Sequence, residues 1–236
     1  MNLIKDNWTK EDYNEFLEYL YSFADTKYKE FQSKLTYNTN IIGIKVPILK
    51  DISKNISKGN FLSFINFVTT NTYEEWLISG LIIGYSKIDF KDNLILLDKF
   101  IISIDNWASC DIACANMKDF KKNMSIGYEY ILRKIKTNYC FSVRVGLVLL
   151  ISFYIIEDYL EKIFDICDSI KSDEYYVKMA ISWLISICYI KYPKETLKYL
   201  NHNKLDKFTH NKAIQKIMES KRISKEEKDI LRCMKI

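Results

Sequence analysis

Asp173-Glu-Tyr-Tyr-Val-Lys178-Met-Ala-Ile-Ser-Trp183-Leu-Ile-Ser-Ile-Cys-Tyr-Ile190, followed by Lys191-Tyr-Pro193, is the stretch that decides the fold. From Asp173 to Ile190 there is neither Gly nor Pro. Asp173 stands where a helix start wants a side-chain acceptor, and Pro193 stands where a second helix can begin without losing a needed backbone donor. The stretch reads as helix, tight turn, helix. The whole chain is similarly poor in breakers, with six Gly and two Pro in 236 residues. That is too little turn chemistry for an all-β fold, whose strands need a turn every few residues. The expected fold class is all-α.

Working outward, the same signals recur. Thr9 followed by Asp12 is a capping signal for a helix over Lys10 to Tyr21. Val46-Pro47 starts a helix that Gly59 closes. Thr72 precedes Glu74 and Glu75, acids suited to a first turn. Asp105 and Asn106 can cap the segment starting at Trp107, and Ser224 with Glu227 reads as another capping box. No strand-like alternation competes over any long stretch. Helix pairs beginning near Gly43, Tyr73, Asn106, Tyr139, Asp173 and Phe208 are spaced by 30, 33, 33, 34 and 35 residues. A helical hairpin at that period predicts an α-solenoid. The tetratricopeptide pattern and the Thr-Pro-Leu-His of ankyrin repeats are absent, which leaves degenerate HEAT-like pairs. With no linker and no low-complexity stretch, residues 1–236 are expected to form one domain.

Composition bounds the function. Hydrophobic residues make up 48% and charged residues 28%, a globular balance. Met1 to Trp8 is polar, so no signal peptide is expected. The longest apolar run, Val145 to Ile156, is about half of what a bilayer span needs. The cysteines at 110, 114, 140, 167, 188 and 233 form no CxxC and mostly sit in apolar contexts, as buried free thiols of an intracellular protein do. Cys110 and Cys114 read as packing residues. His202 and His210 make no zinc spacing with these cysteines, so no metal or cofactor is expected.

The formal charge of +5 is unevenly spread. Residues 178–236 hold 14 Lys or Arg against 6 Asp or Glu, a net of +8, while residues 1–177 hold 21 against 24, a net of −3. Such asymmetry suits a surface that meets a polyanion. A solvated lysine-rich face is the other reading.

Two charged residues look out of place. Asp111 sits in Trp107-Ala-Ser-Cys-Asp111-Ile-Ala-Cys-Ala, among small and apolar neighbours and on the same helix face as Trp107. Arg144 interrupts Phe141-Ser-Val-Arg144-Val-Gly-Leu-Val-Leu-Leu. Burying either needs partners. Both fall at one offset from their repeat starts. Lys178 has the same offset in the next repeat, with Trp183 five residues on. One stripe of a solenoid would carry all three charges. Either this stripe is functional, or it is a structural Asp–Arg ladder with core tryptophans.

These segments resemble the AlkD-like DNA alkylation repair glycosylases, a HEAT-like-repeat family. The stretches that carry the likeness are Gly43-Ile-Lys45-Val-Pro47, Asp105-Asn-Trp107-Ala-Ser-Cys-Asp111, Val143-Arg144, Tyr175-Tyr-Val-Lys178-Met-Ala-Ile-Ser-Trp183, Tyr192-Pro193 and Phe208-Thr-His210-Asn-Lys212-Ala-Ile-Gln-Lys216. The resemblance implies a right-handed solenoid of about six repeats with a concave groove for double-stranded DNA. It implies a catalytic carboxylate at Asp111, with Trp107, Trp183 and Arg144 around the substrate. Lys178, His210, Lys212 and Lys45 would be phosphate contacts, and the protein a cytoplasmic monomer without a cofactor. The implied substrates are cationic alkylpurines such as N3-methyladenine and N7-methylguanine, cleaved without a tight base pocket.

One region departs from the resemblance. Active members insert an N-terminal helix into the minor groove, and Lys27-Tyr-Lys-Glu-Phe-Gln-Ser-Lys-Leu-Thr36-Tyr-Asn-Thr-Asn40-Ile-Ile42 does not match that helix. Thr36 to Asn40 reads as a polar loop. The sequence is closer to a paralogous branch that lacks the insertion helix and excises inefficiently. A glycosylase, a non-excising DNA-binding solenoid and a protein-binding helical scaffold are the three functional classes left.

Overall fold

The computed structural model describes residues 1–36, 40–104 and 106–236. Among these residues there are 14 α-helices and no strand. The chain forms two compact units, Met1–Asn123 and Met124–Ile236. The first holds α1 (Lys10–Tyr21), α2 (Thr26–Ser33), α3 (Val46–Ile56), α4 (Phe61–Ile65), α5 (Tyr73–Tyr85), α6 (Phe90–Ile102) and α7 (Trp107–Ala115), followed by a 3-10 turn over Lys118–Lys121. The second holds α8 (Met124–Ile135), α9 (Cys140–Leu149), α10 (Glu157–Ser169), α11 (Tyr175–Lys191), α12 (Pro193–His202), α13 (Lys207–Glu219) and α14 (Lys225–Cys233). A π-helical turn over Leu150–Tyr154 continues α9.

The odd-numbered helices from α3 to α13 begin close to the six starts expected from the period. In the first unit α3 packs on α5 and α5 on α7, and in the second α9 packs on α11 and α11 on α13. Within each unit the period therefore records a helix that recurs and stacks on its predecessor.

The caps explain most boundaries. Full capping boxes stand at Thr9/Asp12, Thr72/Glu75 and Ser224/Glu227. Asn106 accepts from the Ser109 amide at 3.0 Å to cap α7, while Asp105 lies outside the described residues. Pro193 is the first residue of α12, as expected. Helix α3 ends at Ile56, and Gly59 lies in the turn beyond its C-cap Ser57. Asp173 does not cap α11. The helix starts two residues later with Glu174 at its N-cap and no side-chain bond there. Asp173 accepts from Lys178 Nζ at 3.2 Å instead, because an ammonium group within reach competes with the backbone amides. Helix α2 was not foreseen. Its signal is Asp25, which accepts from the Tyr28 amide at 3.0 Å. Of the polar loop expected over residues 36–40, positions 37–39 lie outside the described residues.

The first unit is centred on aromatic packing. Phe64 meets Trp8 edge-on at 4.9 Å between centroids and Phe16 at 5.0 Å. Two adjacent carboxylates then fasten the N-terminal helices to α5. Glu75 completes its capping box and also accepts from Tyr13 Oη at 2.6 Å and Thr69 Oγ1 at 2.8 Å. Glu74 is fully buried and accepts from the backbone amides of Ile42 at 2.9 Å, Gly43 at 2.8 Å and Ile44 at 3.2 Å. Three successive donors on one carboxylate require a local backbone reversal, and Gly43 supplies it with φ of +100°.

In the second unit, most of the long apolar run is core. Val145, Leu147, Val148, Leu149, Leu150 and Tyr154 are buried, as are Ile163 of α10 and Leu184 and Ile185 of α11. Among the described residues no helix is long and apolar enough to cross a membrane. Cys110, Cys114, Cys167 and Cys188 are buried, Cys140 is half-buried and Cys233 exposed. Burial pushes the Cys188 thiol up to about 12, so it is an inert packing group at neutral pH.

Candidate active site

Helix α7 is short, and its sequence is almost entirely small. Ala108, Ser109, Cys110, Ala113 and Cys114 are buried, which lets the helix pack closely on α5. Gly80 of α5 marks the approach: a Cβ there would stand 2.8 Å from Ala113 Cβ and 2.6 Å from the Phe100 ring. On the remaining face Trp107 and Asp111 are both half-buried, one turn apart. Trp107 rests on the first unit's core and donates its indole N–H to the Leu35 carbonyl at 3.2 Å. The segment after α2 thus fixes the orientation of Trp107. Sequence reading missed this contact, since a backbone carbonyl 72 residues away leaves no motif.

Lys45, also in the first unit, is the N-cap of α3 and is exposed, 3.5 Å from the Asp25 carboxylate. Its ammonium is at the surface beside that carboxylate.

The second unit places its candidates differently. Arg144 is the fifth residue of α9, as Asp111 is of α7. Only 5% of it is exposed. Its Nη1 donates to the Tyr176 carbonyl at 2.8 Å, and the guanidinium lies 6.0 Å from the Tyr176 ring centroid. The register matches expectation, and the side chain is also a tie between α9 and α11. Trp183 is half-buried on α11.

Lys178 is held between two carboxylates, Asp173 at 3.2 Å and Asp206 at 3.7 Å. The hydrogen bond to Asp173, reinforced by Asp206, raises its pKa above the usual lysine value. Burial pushes the Asp206 carboxyl up, but hydrogen bonds from Thr209 and the charge of Lys178 outweigh it and hold it below the usual carboxylate range. These three groups, with Lys171, Lys204 and Thr209, line an open cavity of about 380 Å³ between the starts of α11 and α13. A phosphate reaching Lys178 would meet those carboxylates as well.

His210 does not reach the surface. It belongs to the inner face of α13 with Thr209, Ala213, Ile214 and Ile217. Its Nδ1 is 3.0 Å from Asn203 Nδ2 and its Nε2 is 2.9 Å from the Met234 carbonyl oxygen. With 3% exposed and both ring nitrogens engaged, it joins the ends of α12, α13 and α14 and cannot contact a phosphate. The helical period, which puts positions 210, 213, 214 and 217 on one face, was the available signal. Lys212, two residues on and so on the opposite side of the helix, donates to Gln215 Oε1 at 2.8 Å. Among the described residues no group of three His, Cys, Asp or Glu is placed to hold a metal ion.

A chain of successive packed helices, with a tryptophan–aspartate pair on a small-residue helix, defines an all-helical protein with a candidate active site. The particular family follows from comparison. Residues 17–217 match the family described as DNA alkylation repair enzyme, and the chain belongs to that family. No individually curated protein matches it.

Proposed function

We propose that this protein is a monofunctional DNA glycosylase that removes cationic alkylpurines, such as N3-methyladenine and N7-methylguanine, from double-stranded DNA. The whole chain would act as one HEAT-like solenoid of about six repeats, binding duplex DNA as a monomer. The observation that carries this reading is the half-buried Asp111 beside Trp107 on a helix otherwise made of small and apolar residues, in a chain matched by the repair family over residues 17–217.

The chemistry follows from the residue types. A purine that already carries positive charge leaves as a neutral base and needs no general acid. As the N-glycosidic bond breaks, positive charge builds on the deoxyribose. The Asp111 carboxylate stabilises that charge and accepts a hydrogen bond from the water that adds to the sugar. The ring face of Trp107 favours the same cationic centre. Lys45, Lys178 and Lys212 supply phosphate contacts that position the duplex.

The test is base release from duplex DNA carrying N7-methylguanine, with Asp111→Asn as the control. Release that falls by about a hundredfold or more in the variant is expected for loss of a charge-stabilising group. No release by the native chain at high enzyme concentration, or equal release by the variant, overturns the reading.

A second reading, duplex binding without excision, is favoured by one observation. Arg144 is buried and one of its donors is taken by the Tyr176 carbonyl, which is a structural use of the residue expected beside the substrate.

A further inference from the structure

A series of aromatic rings runs along the starts of three helices of the second unit. Tyr139, just before α9, lies 6.3 Å from Phe141 between ring centroids. Phe141 lies 5.7 Å from Tyr176, and Tyr176 lies 5.7 Å from Tyr175. Tyr175 at the start of α11 lies 6.2 Å from Phe208 at the start of α13. The inner members are anchored: Phe141 is buried, and Tyr176 is half-buried beneath Arg144. The outer members reach the surface. Tyr139 is 42% exposed, Tyr175 57% and Phe208 42%. Single exposed rings are ordinary, but three joined by an anchored series make an apolar strip that marks a binding surface.

The charge beside the strip says what covers it. At its α13 end lies an open cleft of about 480 Å³ lined by Lys207, Phe208, Asn211, Lys212, Gln215 and Lys235. Three ammonium groups and two amides line the cleft around the Phe208 ring, and Asn211 Nδ2 donates to Ile236 O at 2.6 Å. Lys212 Nζ lies 5.9 Å from the Phe208 centroid. Successive ring faces beside lysines suit a single strand: each base has a face to stack, and each phosphate meets an ammonium group. A duplex cannot use the rings in this way, because its bases already stack on one another.

We infer that the surface formed by Tyr139, Tyr175 and Phe208 with Lys207, Lys212 and Lys235 is a binding site for an unpaired DNA strand. This rests on the DNA-binding part of the function proposed above and shares Lys212 with it. It adds a substrate class, unpaired nucleotides, that the aspartate chemistry does not require.

The experiment uses the full chain and a fluorescein-labelled oligothymidylate of about 12 nucleotides, long enough for one such site, with a hairpin duplex as comparison. Tyr175→Ala combined with Phe208→Ala is expected to weaken oligothymidylate binding by about tenfold or more, with hairpin binding changed by less than about twofold. Tyr175→Phe, which keeps the ring, should bind both like the native chain. Melting followed by circular dichroism establishes that the variants fold. Phe208→Trp provides a direct readout, since its emission should be quenched by oligothymidylate and not by the hairpin. Three results would each overturn the proposal: no oligothymidylate binding at low salt, equal losses on strand and hairpin, or binding without quenching. Base release measured on the same preparations separates the two readings. Excision with no ring-dependent strand binding removes this inference alone. Ring-dependent strand binding with no excision removes the glycosylase reading alone.

Discussion

Glu74 shows how one residue acquires a role its neighbours in sequence do not announce. Next to Thr72 it reads as an acid in a first turn. Its neighbour Glu75 takes that capping function, and Glu74 turns inward to accept three amides from residues 42–44. Removing the carboxylate leaves those donors buried and unsatisfied. Glu74→Ala should therefore destabilise the protein by about 3 kcal/mol, read from urea unfolding midpoints at unchanged slope. A loss under about 1 kcal/mol would mean that water rehydrates the site. Asp111 is the contrasting case. Its departure from an apolar helix was legible, and it is half-buried one turn from Trp107.

At the scale of the element, α13 joins capping, electrostatics and burial. Asp206 caps the helix, accepting from the Thr209 amide and hydroxyl, and faces Lys178 at 3.7 Å. Its carboxyl is held below the usual range, so it is the depressed-acid case. The stability it contributes is present above the unfolded value of about 4 and is lost as pH falls through the lower folded value. Asp206→Asn keeps a good cap and removes the titration. The native chain should be more stable than this variant at pH 7 by about 0.5 kcal/mol, since the pair is partly solvent-screened. The gap should close on acidification below about pH 4. Melting temperatures across that range check it, and a gap independent of pH would exclude the charge as its source. Lys178 is the opposite case. Its raised pKa stabilises below the unfolded lysine value and is lost only as pH rises through the folded one.

For the whole molecule, the charge divides with the units. Residues 124–236 hold 20 Lys or Arg against 14 Asp or Glu, a net of +6, while residues 1–123 hold 15 against 16, a net of −1. If the basic part meets duplex phosphates, binding must fall steeply with salt, by a slope of about −0.9 for each phosphate neutralised. Lys178→Glu combined with Lys212→Glu should weaken duplex binding and flatten that slope by about 2. Fluorescence titrations from low to moderate salt measure both quantities. Salt-independent binding would argue for a protein-binding scaffold instead.

The sequence alone determined that this chain is helical, where most helices start, and which family it belongs to. Those properties reside in short-range features: the scarcity of Gly and Pro, the caps at Thr9, Thr72, Asn106 and Ser224, and a hairpin period near 33 residues that repeats along the chain. The caps and the lack of breakers are set by neighbours within a turn or two, and the period is their recurrence along the chain, so each can be read in order. The tertiary structure decided which charges face inward. His210 turned into the core, Arg144 met the Tyr176 carbonyl, and Lys178 settled between Asp173 and Asp206. Trp107 found the Leu35 carbonyl, and Glu74 found the amides of residues 42–44. Most of these partners come from another helix or a distant segment. Such pairings follow from the packing of whole elements, where a buried polar group takes whichever donor or acceptor the neighbouring element brings within reach.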